Sequence, residues 1–237
     1  MGTKNIETAV VVSQEEISSG IYDLWLKTET IAKNAVAGQF VSLYCNEGSR
    51  LLPRPISICR VDRENDSIRL VYRVAGAGTK EFSAYKPGMA VKIMGPLGNG
   101  FPLKEKKAFL IGGGIGIPPM LELAAELPSD AQKKVILGYR DELFLNTEFE
   151  KYGDVYIATE DGSAGTKGNV LDAIRENSLE ADVIYACGPT PMLRAIKEYA
   201  AKNNIECWLS LEERMACGIG ACLACVCKSK EVDSHTN

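Results

Sequence analysis

The hydrophobic pattern of the chain changes near Pro102, and this change restricts the possible folds more than any other feature. Before it, short stretches rich in β-branched and aromatic residues alternate with turn residues, which is typical of an all-β barrel or sandwich. The predicted strands are residues 8–12, 21–28, 39–44, 56–61, 67–73 and 90–94. A short helix over residues 79–85, with Thr79 as its N-cap, is predicted before the last strand.

After Pro102 the predicted strands alternate with predicted helices, which indicates a parallel sheet with right-handed crossovers. The strands are residues 108–111, 135–139, 155–159 and 183–186, and the helices are residues 120–127, 170–177 and 191–203. We therefore predict a β + α/β fold with an antiparallel β domain over 1–102 and a nucleotide-binding α/β domain over 103–210. Residues 211–237 contain too little apolar material to fold alone, and a bound metal would stabilise them.

Composition excludes several classes of function. The net charge is −4 and the Lys and Arg residues are dispersed, so we expect no nucleic-acid partner. No apolar run reaches the roughly 18 residues of a membrane span. The first 20 residues include acids where a signal peptide would be basic, so we expect a cytoplasmic protein. The only histidine, His235, lies in a polar tail, and no acid–base catalytic residue is predicted.

Four of the eight cysteines fall within residues 217–227, which is too close in sequence for a disulfide framework. Cys217, Cys222 and Cys225 have the plant-type spacing of a [2Fe–2S] site, C-x4-C-x2-C. The small residues between them let the loop turn its amides toward the sulfur atoms. A structural zinc knuckle and buried thiols without a metal are the alternatives.

The plant-type pattern includes a fourth cysteine well downstream, and this one is missing before the last residue given, Asn237. Cys227 would lie on the same side of an extended segment as Cys225, about 6.5 Å along it, where its approach to a cluster is awkward. We expect the natural protein to continue past Asn237 and to supply the fourth ligand there.

A glycine-rich loop joins the predicted strand 108–111 to the following helix. Such a loop presents unpaired amides and a helix dipole to a pyrophosphate. The dinucleotide pattern G-x-G-x-x-G fails here, because its last position is Ile117 or Pro119, and the loop fits G-x-G-I-x-P instead. By itself such a loop could also be only a tight turn. The candidate nucleotide residues are Gly113, Gly114, Gly116, Ile117 and Pro118.

A second loop, Cys187-Gly188-Pro189, follows the strand 183–186 and opens another helix. Ligands of parallel sheets bind beyond the carboxyl ends of the strands, so both loops should face one crevice, and Cys187, Gly188 and Pro189 are further candidate nucleotide residues. Taken alone, Cys187 is better explained as a small residue that packs the strand end.

The choice between NAD and NADP depends on residues 138–142. Asp141 and Glu142 discourage a 2′-phosphate and favour NAD, whereas Arg140 leaves NADP open.

Six segments together resemble the ferredoxin–NADP reductase superfamily and, more closely, the electron transfer subunits of bacterial NAD-linked dihydroorotate dehydrogenase. The resemblance covers the whole chain, and the last segment is its most specific part. The segments are residues 54–57 (RPIS), 76–79 (GAGT), 95–98 (GPLG), 112–120, 187–192 and 211–222 (LEERMACGIGAC).

The resemblance implies that the β domain, residues 1–102, is an antiparallel β-barrel that binds FAD. Arg54 would bind the pyrophosphate, and Ser57 would form a hydrogen bond near flavin N5. Gly78 and Thr79 would present amides to the phosphates. The complete set of FAD residues is Arg54, Pro55, Ile56, Ser57, Val71, Tyr72, Arg73, Gly78 and Thr79. Many relatives have a tyrosine at the position of Ile56, and Tyr72 is the predicted substitute for ring stacking.

The resemblance also implies an electron relay in pyrimidine biosynthesis. Electrons from dihydroorotate would enter at FMN on a separate catalytic subunit, cross the [2Fe–2S] cluster to FAD and leave on NAD. The expected assembly is a heterotetramer with two copies of each subunit. Two alternatives are a subunit of a ferredoxin–NADP or sulfide-linked oxidoreductase, and an iron–sulfur redox sensor.

Overall fold

The N-terminal domain is a closed barrel of six strands in a computed structural model that describes residues 4–48, 50–104, 106–213 and 215–226. The strands follow one another around the barrel in the order β1-β2-β5-β4-β3-β6, and each pairing is antiparallel. Closure confirms the barrel that the resemblance implies, whereas the strand spacing alone allowed a barrel or a sandwich. The elements are β1 (Asn5–Ser18), β2 (Ile21–Lys27), α1 (Ile31–Asn34), β3 (Phe40–Leu43), β4 (Arg54–Asp62), β5 (Ser67–Arg73), α2 (Ala77–Phe82) and β6 (Ala90–Leu97).

The barrel interior is filled by alternate residues of its strands. In β5, Ile68, Leu70 and Tyr72 point inward and are at most 1% exposed. Val71 lies on the other side of the same strand, in the hydrophobic cluster of the second domain. Because side chains of a strand alternate between its two faces, β5 contributes to both domains.

The second domain is a six-stranded sheet with the order β10-β9-β8-β7-β11-β12, and every pairing is parallel. This confirms the parallel α/β prediction. The elements are β7 (Ala108–Gly113), a 3₁₀ turn (Gly114–Gly116), α3 (Pro118–Glu126), β8 (Lys133–Tyr139), α4 (Asn146–Phe149), β9 (Asp154–Thr159), β10 (Thr166–Lys167), α5 (Val170–Glu176), β11 (Val183–Cys187), α6 (Thr190–Asn203) and β12 (Glu206–Ser210). In the part of the chain that is described, no helix has the length and apolar character needed to cross a membrane.

Several details differ from the sequence prediction, which did not include the short elements α1, α4 and β10. Strand β12 was not predicted, because it is an edge strand whose residues are only partly buried and do not form an apolar run. Thr79 is not the N-cap of α2, because the helix begins at Ala77 after the N-cap Gly76. Thr79 lies in the first turn, where its side chain reaches back to the residues before the helix.

Arg69 of β5 connects the two domains. Its guanidinium donates to Asp23 of the same barrel, with Nη2 2.7 Å from Oδ2, and to Glu148 of α4, with Nη1 2.6 Å from Oε2. Arg69 and Asp23 are buried. A bidentate arginine between two carboxylates satisfies the geometry of all three groups and fixes α4 against the barrel.

Candidate functional site

Arg54 and Gly78 are in direct contact, although they belong to different elements. Arg54 begins β4, and Gly78 lies in the first turn of α2. A Cβ atom on Gly78 would fall 2.6 Å from Arg54 Nε, so only glycine lets the guanidinium lie this close to the helix. The carbonyl oxygen of Leu52 accepts a hydrogen bond from Arg54 Nη1, which holds the cation at this position. A fixed cation beside backbone amides suits the pyrophosphate predicted for these residues.

Thr79 stabilises the loop that leads into α2. Its Oγ1 accepts hydrogen bonds from the amides of Ala75, at 2.9 Å, and Gly76, at 3.2 Å. The same hydroxyl donates to the carbonyl oxygen of Gly76 at 3.1 Å. The Thr79 side chain therefore shapes the start of the helix, and a phosphate role would belong to its backbone amide.

The stacking role predicted for the Tyr72 ring does not agree with its position. The ring is buried in the barrel core, with its centroid 5.9 Å from that of Tyr22 and 6.2 Å from that of Phe82. Its hydroxyl donates to Gln14 Oε1 at 2.9 Å. Protein side chains cover the ring, so it presents no free face to a flavin. The period of two along β5 turns Tyr72 inward and its neighbours outward.

The remaining predicted FAD residues lie on β4 and β5 and differ in burial, and Ile56 packs against the hydrophobic cluster of the barrel. Pro55 and Arg73 are exposed, while Ile56 and Ser57 are partly buried. Val71 is buried between the barrel and the second domain. Their contacts with FAD stay predictions.

The two predicted nucleotide loops are packed against each other. Strands β7 and β11 are neighbours, with Gly112 opposite Cys187, and both loops leave from their carboxyl ends. A Cβ atom on Gly116 would overlap the carbonyl group of Cys187. The structure thus confirms that the loops share one edge of the sheet, and Gly116 is required for their close approach.

Met192, which was not among the predicted site residues, fills the space between these loops. A Cβ atom on Gly113 would lie 2.5 Å from its Sδ, and one on Gly188 would lie 2.6 Å from its Cε. Gly188 also has φ +155°, which an L side chain rarely adopts. Ile117 and Pro118 are buried below the loop and Pro189 is exposed at its rim. Gly113 and Gly188 lack side chains, and this was the sequence signal that a bulky residue, Met192, packs against them.

Cys187 is 1% exposed at the end of β11. Burial raises the pKa of its thiol to about 12, and the nearby Glu212 carboxylate acts in the same direction. The group therefore stays a neutral thiol near pH 7 and packs the strand end, as expected for a small buried residue.

The segment from Cys217 to Cys225, called the cysteine loop below, turns backbone amides toward the Cys217 sulfur. The Cys222 amide donates to Cys217 Sγ at 3.4 Å. This amide and that of Ile219 lower the pKa of Cys217 to about 6. Gly218 and Gly220 have φ of +67° and +84°, which is the backbone conformation that lets the loop wind so tightly. An anionic sulfur surrounded by amides fits a cluster ligand.

The three predicted cluster ligands do not converge on one point. Within residues 4–48, 50–104, 106–213 and 215–226, no three Cys, His, Asp or Glu side chains form a group that could hold a metal ion. Cys227, the fourth cysteine considered from the sequence, lies outside the described residues. The donor chemistry of Cys217, Cys222 and Cys225 fits an iron–sulfur cluster, and the loop shape alone does not assemble it.

The cysteine loop packs on the N-terminal barrel. A Cβ atom on Gly218 would lie 3.2 Å from both Ser42 Oγ of β3 and Leu97 Cδ1 of β6. Lys4 Nζ donates to the carbonyl oxygen of Ile219 at 3.0 Å. Ser42 is paired with Pro55 of β4. The loop therefore packs on β3, which is the direct neighbour, about 4.8 Å away, of the strand that carries the predicted flavin residues.

Three family models match the chain in succession. Residues 8–101 match the oxidoreductase FAD-binding domain, and residues 110–198 match the oxidoreductase NAD-binding domain. Residues 212–237 match the iron–sulfur cluster binding domain of dihydroorotate dehydrogenase B.

Full-length relatives are similar over nearly the whole chain. The electron transfer subunit of dihydroorotate dehydrogenase B (NAD(+)) from Bacillus cereus strain B4264 is 44% identical over 95% of this chain and 89% of its own length. The corresponding subunit from Fusobacterium nucleatum is 42% identical over 98% of this chain and 93% of its own length. This chain belongs to the family of dihydroorotate dehydrogenase B electron transfer subunits. Membership confirms the predicted FAD, NAD and iron–sulfur cofactors.

Solved structures support the fold. A chain of an NADH-dependent reduced ferredoxin–NADP oxidoreductase, described for flavin-based electron bifurcation, has a TM-score of 0.84 and 30% identity. That match covers 92% of this chain and 80% of the solved one. The ferredoxin reductase of carbazole 1,9a-dioxygenase has a TM-score of 0.74 at 20% identity over 87% of this chain and 69% of its own, and shows the shared fold alone.

Proposed function

We propose that this chain transfers electrons between a dihydroorotate-oxidising catalytic subunit and NAD, in pyrimidine biosynthesis. The observation that carries the proposal is the position of the cysteine loop on β3 and β6, next to β4 of the flavin-type barrel. An electron carrier at this position is close to the predicted flavin residues and also at the surface. Family membership supplies the substrate class.

In the proposed relay, dihydroorotate loses two electrons and two protons, and NAD accepts a hydride. When bound, FAD exchanges two electrons with a nicotinamide and single electrons with an iron–sulfur cluster. We assign a [2Fe–2S] cluster to Cys217, Cys222 and Cys225 on their spacing, with a fourth ligand from outside the described residues.

The chain's own residues have binding and positioning roles. Arg54 neutralises the FAD pyrophosphate, and Ser57 offers a hydroxyl to the flavin edge. The amides of Gly114 and Gly116 lie between β7 and the start of α3, where they bind the NAD pyrophosphate. No side chain of the chain is assigned a proton transfer, because hydride exchange with a nicotinamide does not require one here.

The proposed partner is an FMN-containing catalytic subunit, in a heterotetramer with two copies of each chain. The proposed domain limits are 1–102, 103–210 and 211–237, and the proposed location is the cytoplasm. The exposed side chains of Ile219 and Leu223 in the cysteine loop are consistent with a surface that a second protein covers.

The test uses the complex purified with its catalytic subunit. Dihydroorotate added without oxygen should bleach the FAD absorbance, and NAD should restore it. NADH added to the isolated FAD-loaded chain should bleach the flavin as well. A flavin that responds to NADH but never to dihydroorotate in the complex would contradict the assignment.

A second candidate is a subunit of a ferredoxin–NADP oxidoreductase, which the 30% identity to the bifurcating enzyme favours. Reduced ferredoxin, in place of dihydroorotate, should then reduce the FAD. Comparison of the two donors on the same preparation separates the candidates. A redox sensor would show no rapid flavin reduction by NADH.

A further inference from the structure

Helix α3 is held on the barrel by a buried carboxylate. Glu122 is 2% exposed, and its Oε2 accepts a hydrogen bond from the Val61 amide of β4 at 3.0 Å. Arg60 Nη1 lies 3.4 Å from the same oxygen, and Arg63 Nη1 lies 3.9 Å from Oε1. The contact joins the nucleotide domain to the strand that carries the predicted flavin residues.

A second carboxylate acts one helical turn later. Glu126 Oε2 accepts from the Ala37 amide at 2.9 Å, and its Oε1 accepts from Arg63 Nη2 at 3.1 Å. Residues four apart lie on the same face of a helix, so both carboxylates face the barrel. Glu126 is partly exposed, whereas Glu122 is enclosed.

The Arg60 guanidinium beside Glu122 is not fully hydrogen-bonded. Arg60 Nη1 is a buried nitrogen that has no hydrogen-bond partner among the described residues, even though it approaches Glu122. Burial raises the pKa of Glu122, and the Val61 amide and Arg60 oppose the rise. The neighbouring α3 residues are apolar and at most 1% exposed, namely Met120, Leu121, Leu123 and Ala124. A leucine at position 122 would suit these apolar neighbours, but it would leave the Val61 amide without its acceptor and the Arg60 guanidinium without its charged partner.

A bulge in β4 lies next to this contact. The register between β4 and β5 shifts between Ile58 and Arg60. The shift lies just before Val61, whose amide donates to Glu122. Bulges commonly redirect backbone groups near functional sites. Both the carboxylate and the bulge are features that packing alone would not require.

The geometry points to Glu122 as a positioning residue for hydride exchange, which fixes the nucleotide loop at the start of α3 relative to the flavin residues on β4. Val61 follows Ser57 by four residues, about 13 Å along a strand. Glu122 follows Ile117 by five residues, about 7.5 Å along a helix. One hydrogen bond thus links two short rigid segments whose far ends carry the two cofactor sites. The inference depends on the proposed function.

Misplacement of a reacting group by about 1 Å can cost on the order of 100-fold in rate. Loss of the Glu122 contact should therefore slow the hydride step more than it weakens NADH binding. The control is Glu148, which also joins the domains through Arg69 but lies on α4, away from the nucleotide loop.

The experiment compares E122L, E122Q and E148Q as FAD-loaded protein. Flavin reduction is followed by stopped flow over a range of NADH concentrations, which separates the limiting rate from the apparent Kd. We expect E122L to lower the limiting rate about tenfold and E122Q, which keeps an acceptor for the Val61 amide, to lower it about threefold. The apparent Kd should change less than about twofold, and E148Q should keep the wild-type rate.

Hydrogen exchange of the same proteins without cofactor gives a readout independent of activity. Peptides containing Val61 should exchange faster in E122L than in wild type or in E148Q. Wild-type rates in both E122L and E122Q, or unchanged Val61 exchange in E122L, would overturn the inference. If E122L does not fold, a wild-type rate in E122Q alone overturns it. Wild-type FAD that NADH does not reduce would instead overturn the proposed function, and the role of Glu122 with it.

Discussion

The two nucleotide loops, which follow β7 and β11, and the cysteine loop are all rich in glycine. They differ in whether the protein alone fixes the geometry of the site. Gly113, Gly116 and Gly188 are enclosed by the opposite loop and by Met192, so the chain itself sets their shape. The three cysteines are partly or fully exposed and do not converge. A phosphate site made of backbone amides has its binding geometry as soon as the sheet has folded. A cluster site reaches its binding geometry only when the metal binds.

The largest effect should come from the cysteine loop. C217S should abolish iron binding and the visible absorbance of the cluster, because hydroxyl oxygen replaces a thiolate ligand. Reduction of FAD by NADH should continue near the wild-type rate, because the loop is not part of the NAD domain. C207S, at a partly buried thiol of β12, is the matched control and should retain iron. Full iron content in C217S, measured by colorimetric assay, would show that Cys217 is not a cluster ligand.

The next effect concerns the nucleotide loops. G116A places a methyl group against the Cys187 carbonyl, so we expect the loops to separate and NADH affinity to fall about 100-fold, or roughly 2.7 kcal/mol. Overpacking should also destabilise the fold by about 1–3 kcal/mol. G48A, where nothing lies within 4 Å of the added methyl, is the control. Titration of flavin fluorescence or of NADH absorbance checks the affinity, and wild-type binding by G116A would show that the loop is less rigid than we describe.

A smaller effect is expected at the FAD site. In G78A the new methyl group displaces the Arg54 guanidinium, which would otherwise be 2.6 Å away. Arg54 can adjust because its side chain is flexible, so we expect FAD affinity to fall only about tenfold, or about 1.4 kcal/mol. R54K should have a similar effect because lysine lacks the planar donor pair. Equilibrium dialysis against FAD measures both variants, and an unchanged Kd in both would remove Arg54 from the site.

The last expected effect, which is small near neutral pH, is a dependence of stability on pH. Burial raises the Cys187 pKa from 9.0 to about 12, so the unfolded chain loses this proton first. The contribution of the Cys187 thiol to the free energy of unfolding should therefore be fully present below pH 9. It should decrease as the pH rises toward 12, by about 1.4 kcal/mol per pH unit. C187A removes this contribution. Urea unfolding at pH 8 and pH 10 should show a smaller loss in C187A than in wild type, and equal losses would contradict a buried neutral thiol.

Much of the fold follows from periodicity. The change from period-two stretches to alternating strands and helices near Pro102 predicted both architectures, because one-sided and two-sided burial leave different sequence patterns. Strand β12 was missed because an edge strand is partly exposed and needs no apolar run. The closure of the barrel depends on pairing between β1 and β6, which are distant in sequence, and no local pattern reports it.

Sequence reasoning found the glycines that allow the two loops to pack and missed the features that depend on tertiary contacts, while the binding roles of these glycines stay predictions. Glycines at 113, 116 and 188 were identified from the loops alone. The ring-stacking role predicted for Tyr72 does not agree with its burial, because the direction of a side chain depends on the strand's register in the barrel. Glu122 gave no signal, since a single glutamate in an apolar helix can equally face solvent.

The position of Gly218 between β3 and β6 has a consequence for the order of assembly in the cell. The surface that receives the cysteine loop comes from the first domain, while the loop is synthesised after the second. Domains fold as units during synthesis, N-terminal first. The surface on β3 and β6 therefore forms before the cysteines leave the ribosome. We expect iron–sulfur loading to be the last maturation step, and we expect cluster-free protein to accumulate under iron limitation.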